Sequence, residues 1–248
     1  MTQDFKFYLM RHGVKAYENG RGGFREPAFD PPLANHLGIK EAAEVLRTKN
    51  VIQIVSSPFL RCRETAEVVA TEMRLFRPIN IAFEFREYLG NWVKKDRRQK
   101  FNGNYFDNVT KEKFDAVMKK SDAFKSYGTT TIKIFENDFN SFKERIHRLA
   151  DVIKTRTRYK RECIITHNVV IEHLLAELGC SINKSLIKPA SVIEVCYENG
   201  AFHASIITDT DVSEDLSVGS YDNEKTIIID SDEDELLISL NNLAVQDK

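Results

Sequence analysis

The chain has 248 residues, of which 42% are hydrophobic and 29% charged, with 36 Lys and Arg against 37 Asp and Glu. This composition is typical of a globular protein and excludes collagen-like, fully disordered and coiled-coil chains. The sequence contains no run of about 18 apolar residues, so we expect no transmembrane helix. Because residues 1–13 lack an apolar signal core, we expect no secretory signal either.

The charge is unevenly distributed along the chain. Residues 209–235 carry eleven acidic side chains and one basic one, Lys225, whereas residues 1–208 carry 34 basic and 25 acidic side chains. High charge with few apolar residues predicts that 209–248 is an acidic, largely disordered tail, separate from a domain at 1–208. A basic domain favours anionic ligands such as phosphates; nucleic acid is the less favoured partner.

The cysteine pattern indicates the compartment. The four cysteines show no CxxC spacing; they are Cys62, Cys163, Cys180 and Cys196. Without a secretory signal, we expect them to be reduced thiols in a cytoplasmic or nuclear protein. A structural zinc site is not expected from this spacing.

Hydrophobic periodicity predicts alternating strands and helices. Strands are predicted at 5–10, 51–57, 80–85, 162–166, 191–199 and 201–208, and helices at 33–49, 59–73, 139–156 and 169–179. Asn199-Gly200 predicts a hairpin turn, and Gly179 predicts the end of the last helix. Residues 91–140 have weak periodicity and are predicted to be an insertion or cap with some helix. The alternation predicts an α/β fold, in which helices flank both faces of a mostly parallel sheet.

Three predicted strands are followed by loops with chemically active side chains. The loops are Arg11-His12-Gly13, Ser56–Arg61 and Thr166-His167-Asn168. Ligands bind at the carboxyl ends of strands in such sheets, and arginine matches the oxygens of phosphate in a bidentate manner. Histidine can act as a nucleophile toward phosphorus. The three loops therefore predict a site that binds an oxyanion. The alternative is that the two histidines only form hydrogen bonds within their own loops.

Four segments of the chain, in order, resemble the histidine phosphatase superfamily, which is also called phosphoglycerate mutase-like. The segments are Arg11-His12-Gly13, Asp30-Pro31-Pro32-Leu33 with Gly38 and Ala42 following, SSPFLRCRETAEVVA at 56–70, and IITHNVVIEHLL at 164–175. The resemblance extends from about residue 5 to 208, with a poorly matched middle. It implies a phosphomonoester hydrolase that needs neither a metal nor another cofactor.

The resemblance also implies a role for each matched residue. His12 would be the nucleophile that becomes phosphohistidine, while Arg11, Arg61 and His167 would bind the phosphate and stabilise its charge. Glu87 would be the proton donor, because the family places a Glu shortly before a Gly in this loop. Glu84 is the alternative donor. The substrate would be a phosphorylated small molecule or a phosphoprotein.

The chain departs from the family pattern beside the predicted pocket. Asn168 stands where the family usually has a small residue, and it is a candidate substrate contact. Such departures leave an alternative, a weakly active or inactive interaction module that acts as a scaffold in a nuclear or transcription-type complex. The segments at 30–34 and 57–62 are indeed similar to a branch found in the RNA polymerase III transcription machinery, and to the protein-tyrosine phosphatase branch.

Two charged segments predict further contacts. Residues 226–235 combine an aliphatic run with acidic residues and Ser231, which resembles a SUMO-interacting motif; a terminal strand or a chance pattern is the alternative. The basic run at 94–100 predicts a cap that selects highly charged substrates. A nucleic-acid patch and a plain solvated face are the alternatives for that run.

Overall fold

The computed structural model describes residues 4–16, 32–88, 109–110, 124–126, 131–132, 138–155 and 161–208. All of these lie in the unit Met1–Glu214, whereas the second unit of the chain, Asp215–Lys248, lies outside the described residues. The SUMO-like segment 226–235, the predicted disorder after Thr208 and the basic run at 94–100 are also outside them and stay predictions. So does the cap at 91–140, of which the structure describes only a few short pieces.

The described elements are nine strands and four helices. The strands are β1 Phe5–Arg11, β2 Gln53–Ser56, β3 Ile79–Ile81, β4 Val109–Thr110, β5 Phe124–Ser126, β6 Thr131–Ile132, β7 Glu162–Thr166, β8 Val192–Glu198 and β9 Ala201–Ile206. The helices are α1 Ile39–Thr48, α2 Leu60–Glu72, α3 Phe139–Thr155 and α4 Asn168–Glu177. Within the described ranges, none of these helices combines the length and apolar character that crossing a bilayer requires.

Seven of the described strands form one mixed sheet in the order β5-β3-β2-β7-β1-β8-β9. The first five strands in this order (β5, β3, β2, β7 and β1) pair in parallel. Strands β8 and β9 continue the sheet in antiparallel pairing. The register brings Arg11 of β1 opposite Thr166 of β7, and Ser56 of β2 opposite Ile165 of β7. The carboxyl ends of β1, β2 and β7 therefore meet at one edge.

The helices cover both faces of the sheet, as predicted. Along β1, Tyr8 and Met10 pack into a core that contains residues of α1 and α2. Phe7 and Leu9 point the other way, into a core with residues of α3 and α4. This separation follows from the alternation of side chains along a strand, and it confirms the α/β fold class.

Two element boundaries differ from the sequence predictions by more than two residues. Helix α1 begins at Ile39 rather than at residue 33, because Gly38 has a left-handed φ of 74° that does not continue a helix. The strand predicted at 80–85 ends at Ile81, and Phe83–Phe85 form a 3₁₀ turn instead. Phe83 and Phe85 enter different cores, so their alternating apolar pattern resembles that of a strand. The predicted hairpin turn is confirmed, since Asn199 and Gly200 have φ values of 54° and 85°.

Candidate active site

The predicted loops lie side by side at the carboxyl edge of the sheet. Hydrogen bonds continue past the strand ends, from the amide of His12 to the carbonyl of Thr166 at 3.0 Å and from the amide of Ser57 to the carbonyl of Ile165 at 2.9 Å. Helices α2 and α4 begin at this edge, with Phe59 and His167 as their N-caps. Helix N-termini present unpaired N–H groups and positive dipole ends, which favour an anion.

The guanidinium of Arg61 lies at the centre of the candidate site. Its Nε donates to Nε2 of His12 at 3.2 Å, and its Nη2 donates to Oε2 of Glu87 at 3.1 Å. The same Nη2 lies 3.2 Å from Nδ1 of His167. The rings of His12 and His167 have centroids 5.3 Å apart. The structure thus brings together four side chains that the sequence predicted for the site.

The ring of His12 is held with its unprotonated nitrogen toward Arg61. Its Nδ1 lies 2.7 Å from the carbonyl oxygen of Gly13, and because a carbonyl only accepts, Nδ1 carries the hydrogen. Nε2 is then the nitrogen with the lone pair. Burial lowers the pKa of His12 well below its usual value near 6.5, and the charge of Arg61 adds to this effect. His12 is therefore neutral at pH 7, as a nucleophile must be.

Gly13 allows this loop to pass close to the core. A Cβ at Gly13 would lie 2.7 Å from Cδ1 of Ile39, which is closer than packed carbon atoms approach. The amide of Gly13 donates to the hydroxyl of Thr65 at 3.0 Å, and that hydroxyl donates to the carbonyl of Arg61 at 2.7 Å. The glycine after His12 therefore connects the first loop directly to helix α2.

Glu87, whose side chain is 22% exposed, pairs with the fully buried His167 beside Arg61. Oε2 of Glu87 lies 3.1 Å from Nδ1 of His167. Burial lowers the pKa of His167 to about 4, although the carboxylate of Glu87 opposes this shift. Burial would raise the pKa of Glu87, but His167 and Arg61 outweigh it and hold that pKa well below its usual value near 4.5. At neutral pH the pair is therefore a carboxylate beside a neutral imidazole.

The loop that carries Glu87 is held by two neighbouring elements. The hydroxyl of Thr166 donates to the carbonyl of Phe85 at 2.6 Å. Arg145 on α3, which is 5% exposed, donates to the carbonyl of Glu84 and, at 3.1 Å, to that of Arg86. Glu84 itself is exposed, so the structure brings Glu87 and not Glu84 to the histidines.

Two predicted site residues are placed differently from the four central ones. Nη1 of Arg11 donates to the carbonyl of Ile187 at 2.9 Å, while the charge of Arg11 contributes to the lowered pKa of His12. Asn168 is the first residue of α4. Its Oδ1 is buried and has no hydrogen-bond partner in the described part of the chain.

The sequence predictions assign no site role to Ser57, Cys62 or Arg145, which contact the site or the loop of Glu87. The hydroxyl of Ser57 lies 2.8 Å from Nε2 of His167. Ser57 lies in the loop before α2, which was predicted to reach the site, but the contact of its side chain with His167 was not predicted. Arg145 lies 59 positions after Arg86 in a helix whose periodicity predicts only packing, and no local signal could have revealed it.

One group of described residues has the side chains to hold a metal ion. His12, Glu87 and His167 offer ligand atoms within 4.8 Å of one another. The guanidinium of Arg61, however, already lies against all three side chains and supplies the positive charge there. An arginine, an unprotonated nitrogen of His12 and two helix N-termini at one edge suit a tetrahedral oxyanion better than a cation.

The chain is similar to solved structures whose names are those of phosphatases and a mutase. The chain matches the ecdysone phosphate phosphatase of Bombix mori with tungstate at 14% identity and a TM-score of 0.51, covering 88% of this chain and 97% of that one. It matches a mycobacterial glucosyl-3-phosphoglycerate phosphatase at 16% identity and a TM-score of 0.48, covering 84% and 99%. It also matches the phosphoglycerate mutase of Bacillus anthracis at 17% identity and a TM-score of 0.48, covering 83% and 93%.

The family comparison covers nearly the whole domain predicted at 1–208. No curated protein is matched by the chain. The family model described as histidine phosphatase superfamily (branch 1) matches residues 7–210, a range that includes the three loops at the sheet edge and Glu87. The resemblance seen in the four sequence segments is therefore confirmed, and the chain belongs to the histidine phosphatase superfamily.

Proposed function

We propose that this chain is a phosphomonoester hydrolase that acts through a phosphohistidine intermediate on His12. The observation that carries the proposal is the guanidinium of Arg61 between the unprotonated Nε2 of His12 and the His167–Glu87 pair. A neutral nucleophilic nitrogen beside a buried cation is what phosphoryl transfer needs, since attack on a phosphate dianion requires its charge to be stabilised.

Binding of the phosphoryl group is assigned to the donors at the carboxyl edge. Arg61, Arg11 and His167 would donate to its oxygens, together with the amides at the N-termini of α2 and α4. Asn168 would add a contact to the substrate through its buried amide oxygen, which can only accept a hydrogen bond and so would need a donor such as a substrate hydroxyl. The donors of Arg61, Arg11, His167 and the helix amides would also stabilise the charge of the transferring group in the transition state.

In the first step, Nε2 of His12 attacks phosphorus. The new N–P bond forms while the P–O bond to the leaving group breaks, and the electron pair leaves with that oxygen. Glu87 gives a proton to the leaving oxygen, which is worth roughly 10²–10⁴-fold in rate. Glu87 must be protonated before this step. Substrate binding would cause this, because a phosphate dianion competes for Arg61 and His167 and so raises the pKa of the Glu87 carboxyl.

In the second step, water attacks the phosphorus of phosphohistidine. The carboxylate left by the first step takes a proton from this water, so Glu87 now acts as a base. The N–P bond breaks and its electron pair returns to Nε2 of His12, which releases inorganic phosphate. One protein group thus serves both steps, and no external reductant, oxidant or metal is required.

The substitution His12→Ala tests the proposal. It is expected to abolish hydrolysis of p-nitrophenyl phosphate, whereas His203→Ala, which removes an exposed histidine on β9, is expected to leave turnover unchanged. Quenching the wild-type enzyme in alkali during turnover is expected to trap phosphate on His12, because phosphohistidine survives alkali. Unchanged turnover by His12→Ala would exclude this mechanism.

The class of substrate can be tested by comparing the rates at which three phosphorylated compounds are hydrolysed. A phosphosugar, an inositol polyphosphate and a phosphotyrosine peptide differ in negative charge, and the basic run at 94–100 predicts the highest rate on the most highly charged compound. Equal rates on all three would refute a selective cap. Within the part of the chain that the structure describes, no observation favours the alternative of an inactive interaction module over catalysis.

A further inference from the structure

The hydroxyl of Ser57 lies behind the ring of His167, away from Arg61. Ser57 follows β2 and is fully buried, and its Oγ is 2.8 Å from Nε2 of His167. The amide of Phe59, the N-cap of α2, donates to the same Oγ at 3.4 Å. Because the hydroxyl oxygen accepts this hydrogen bond, its own hydrogen is available to be donated to Nε2.

The opposite nitrogen of the ring faces the candidate site. Nδ1 of His167 lies 3.1 Å from Oε2 of Glu87, and a carboxylate can only accept a hydrogen bond. If Nδ1 lacked its hydrogen, its lone pair would face the carboxylate, which is repulsive in a buried site. Nη2 of Arg61 also lies 3.2 Å from Nδ1, and it carries two hydrogens, one for Glu87 and one that an unprotonated Nδ1 could accept, which would offset this repulsion. The contacts of Nε2 therefore weigh in the choice of tautomer.

We propose that Ser57 is a positioning residue that holds neutral His167 in the tautomer with its hydrogen on Nδ1. The Ser57 hydroxyl donates to Nε2 and leaves that nitrogen unprotonated, so the ring hydrogen is on the side of Arg61 and Glu87. The functional consequence rests on the proposed function: the Nδ1–H donates to a phosphoryl oxygen when the substrate displaces Glu87. Ser57 thereby affects catalysis without touching the substrate.

The neighbouring serine provides a matched control. Ser56 is also fully buried, and its hydroxyl donates to the backbone carbonyl of Ser57 at 2.8 Å. Ser56→Ala and Ser57→Ala thus remove the same buried group from adjacent positions, but only Ser57→Ala removes the hydroxyl that contacts Nε2, where the thiol of Cys62 remains 3.4 Å away. An effect shared by both variants would reflect packing, and an effect of Ser57→Ala alone would reflect the contact with His167.

The tautomer is measured by NMR on the full chain with ¹⁵N-labelled histidine, without substrate and at neutral pH. His167→Gln identifies the signals of this ring. The wild type and Ser56→Ala are expected to show hydrogen on Nδ1, while Ser57→Ala is expected to move hydrogen to Nε2 in a large share of molecules. Ser57→Thr keeps a hydroxyl and is expected to restore the wild-type pattern.

Two results would overturn the inference: hydrogen on Nε2 in the wild type, or an unchanged tautomer in Ser57→Ala. If Ser57→Ala does not fold, the wild-type spectrum still decides the first of these.

In activity assays, Ser57→Ala is expected to lower kcat/KM between about twofold and tenfold, the range for one hydrogen bond. Because the spectrum needs no substrate, an inactive wild type would refute the proposed function alone, whereas an active enzyme with the other tautomer would refute this inference alone.

Discussion

The guanidinium of Arg61 organises the candidate site at the scale of single residues. Its side chain is 4% exposed, and it bonds to His12 and Glu87 through two different nitrogens. Only a planar fork can serve both partners at fixed angles, and lysine would offer a single point of charge instead. The segment SPFLR predicts that an arginine enters the site, but not that it lies between His12 and Glu87.

We expect Arg61→Lys to lower kcat/KM for p-nitrophenyl phosphate by roughly 10²–10³-fold, the usual effect of removing one donor to a developing charge. The control is Arg47→Lys, because Arg47 is exposed on α1 and pairs only at the surface with Glu44. Steady-state kinetics of both variants give the comparison. A loss of less than about threefold for Arg61→Lys would show that charge alone, without the fork, is sufficient.

Gly13→Ala is expected to destabilise the fold by about 1–3 kcal/mol, the usual cost of overpacking a core. The added Cβ would meet Cδ1 of Ile39 at 2.7 Å, and Ile39 is fully buried. Ile39→Val removes this Cδ1, so the cost of Gly13→Ala should be smaller in the Ile39→Val background. Urea unfolding of the four chains measures both costs, and equal costs in the two backgrounds would contradict the explanation.

At the scale of elements, helix α3 fixes the loop that carries Glu87. Arg145 donates to two carbonyls of that loop. Phe142 of the same helix is fully buried in the core that α3 and α4 form with the sheet. The periodicity of 139–156 predicted this helix almost to the residue, because its apolar side chains recur at helical spacing. The same periodicity cannot show that a charged residue on the helix points inward.

Arg145→Met is expected to lower the free energy of unfolding by about 1–3 kcal/mol, because the carbonyls of Glu84 and Arg86 lose a donor. We also expect kcat/KM to fall, since Glu87 is then less firmly held. Arg148→Met is the control on the same helix, where Arg148 is exposed and pairs with Glu144. Thermal unfolding and kinetics of the two variants test this, and equal stability of both would contradict a role for Arg145.

At the scale of the whole molecule, the buried histidines make stability depend on pH. The pKa of His167 is about 4 in the folded chain against 6.5 without burial, and that of His12 is also lowered. The unfolded chain therefore binds more protons below pH 6.5, and the free energy of unfolding falls as pH drops toward 4. The lowered pKa of Glu87 adds a loss of stability below its usual value near 4.5.

His167→Gln is expected to reduce this pH dependence between pH 6.5 and 4. One histidine accounts for at most about 1.4 kcal/mol per pH unit while it titrates only in the unfolded chain. His203→Gln, which replaces an exposed histidine, is the control. Urea unfolding at a series of pH values gives the slopes. Identical slopes for wild type and His167→Gln would show that His167 does not titrate differently on unfolding.

Residue patterns along the chain were enough to predict the family, the α/β class and the loops that reach the carboxyl edge of the sheet. These depend on short-range patterns, such as Arg11-His12-Gly13 after an apolar run, which few residues suffice to specify. The packing of the fold brings Glu87 rather than Glu84 to the histidines, and it brings Ser57 to a ring 110 positions away. Contacts of that separation depend on how strands and helices pack together, and no local pattern contains that information.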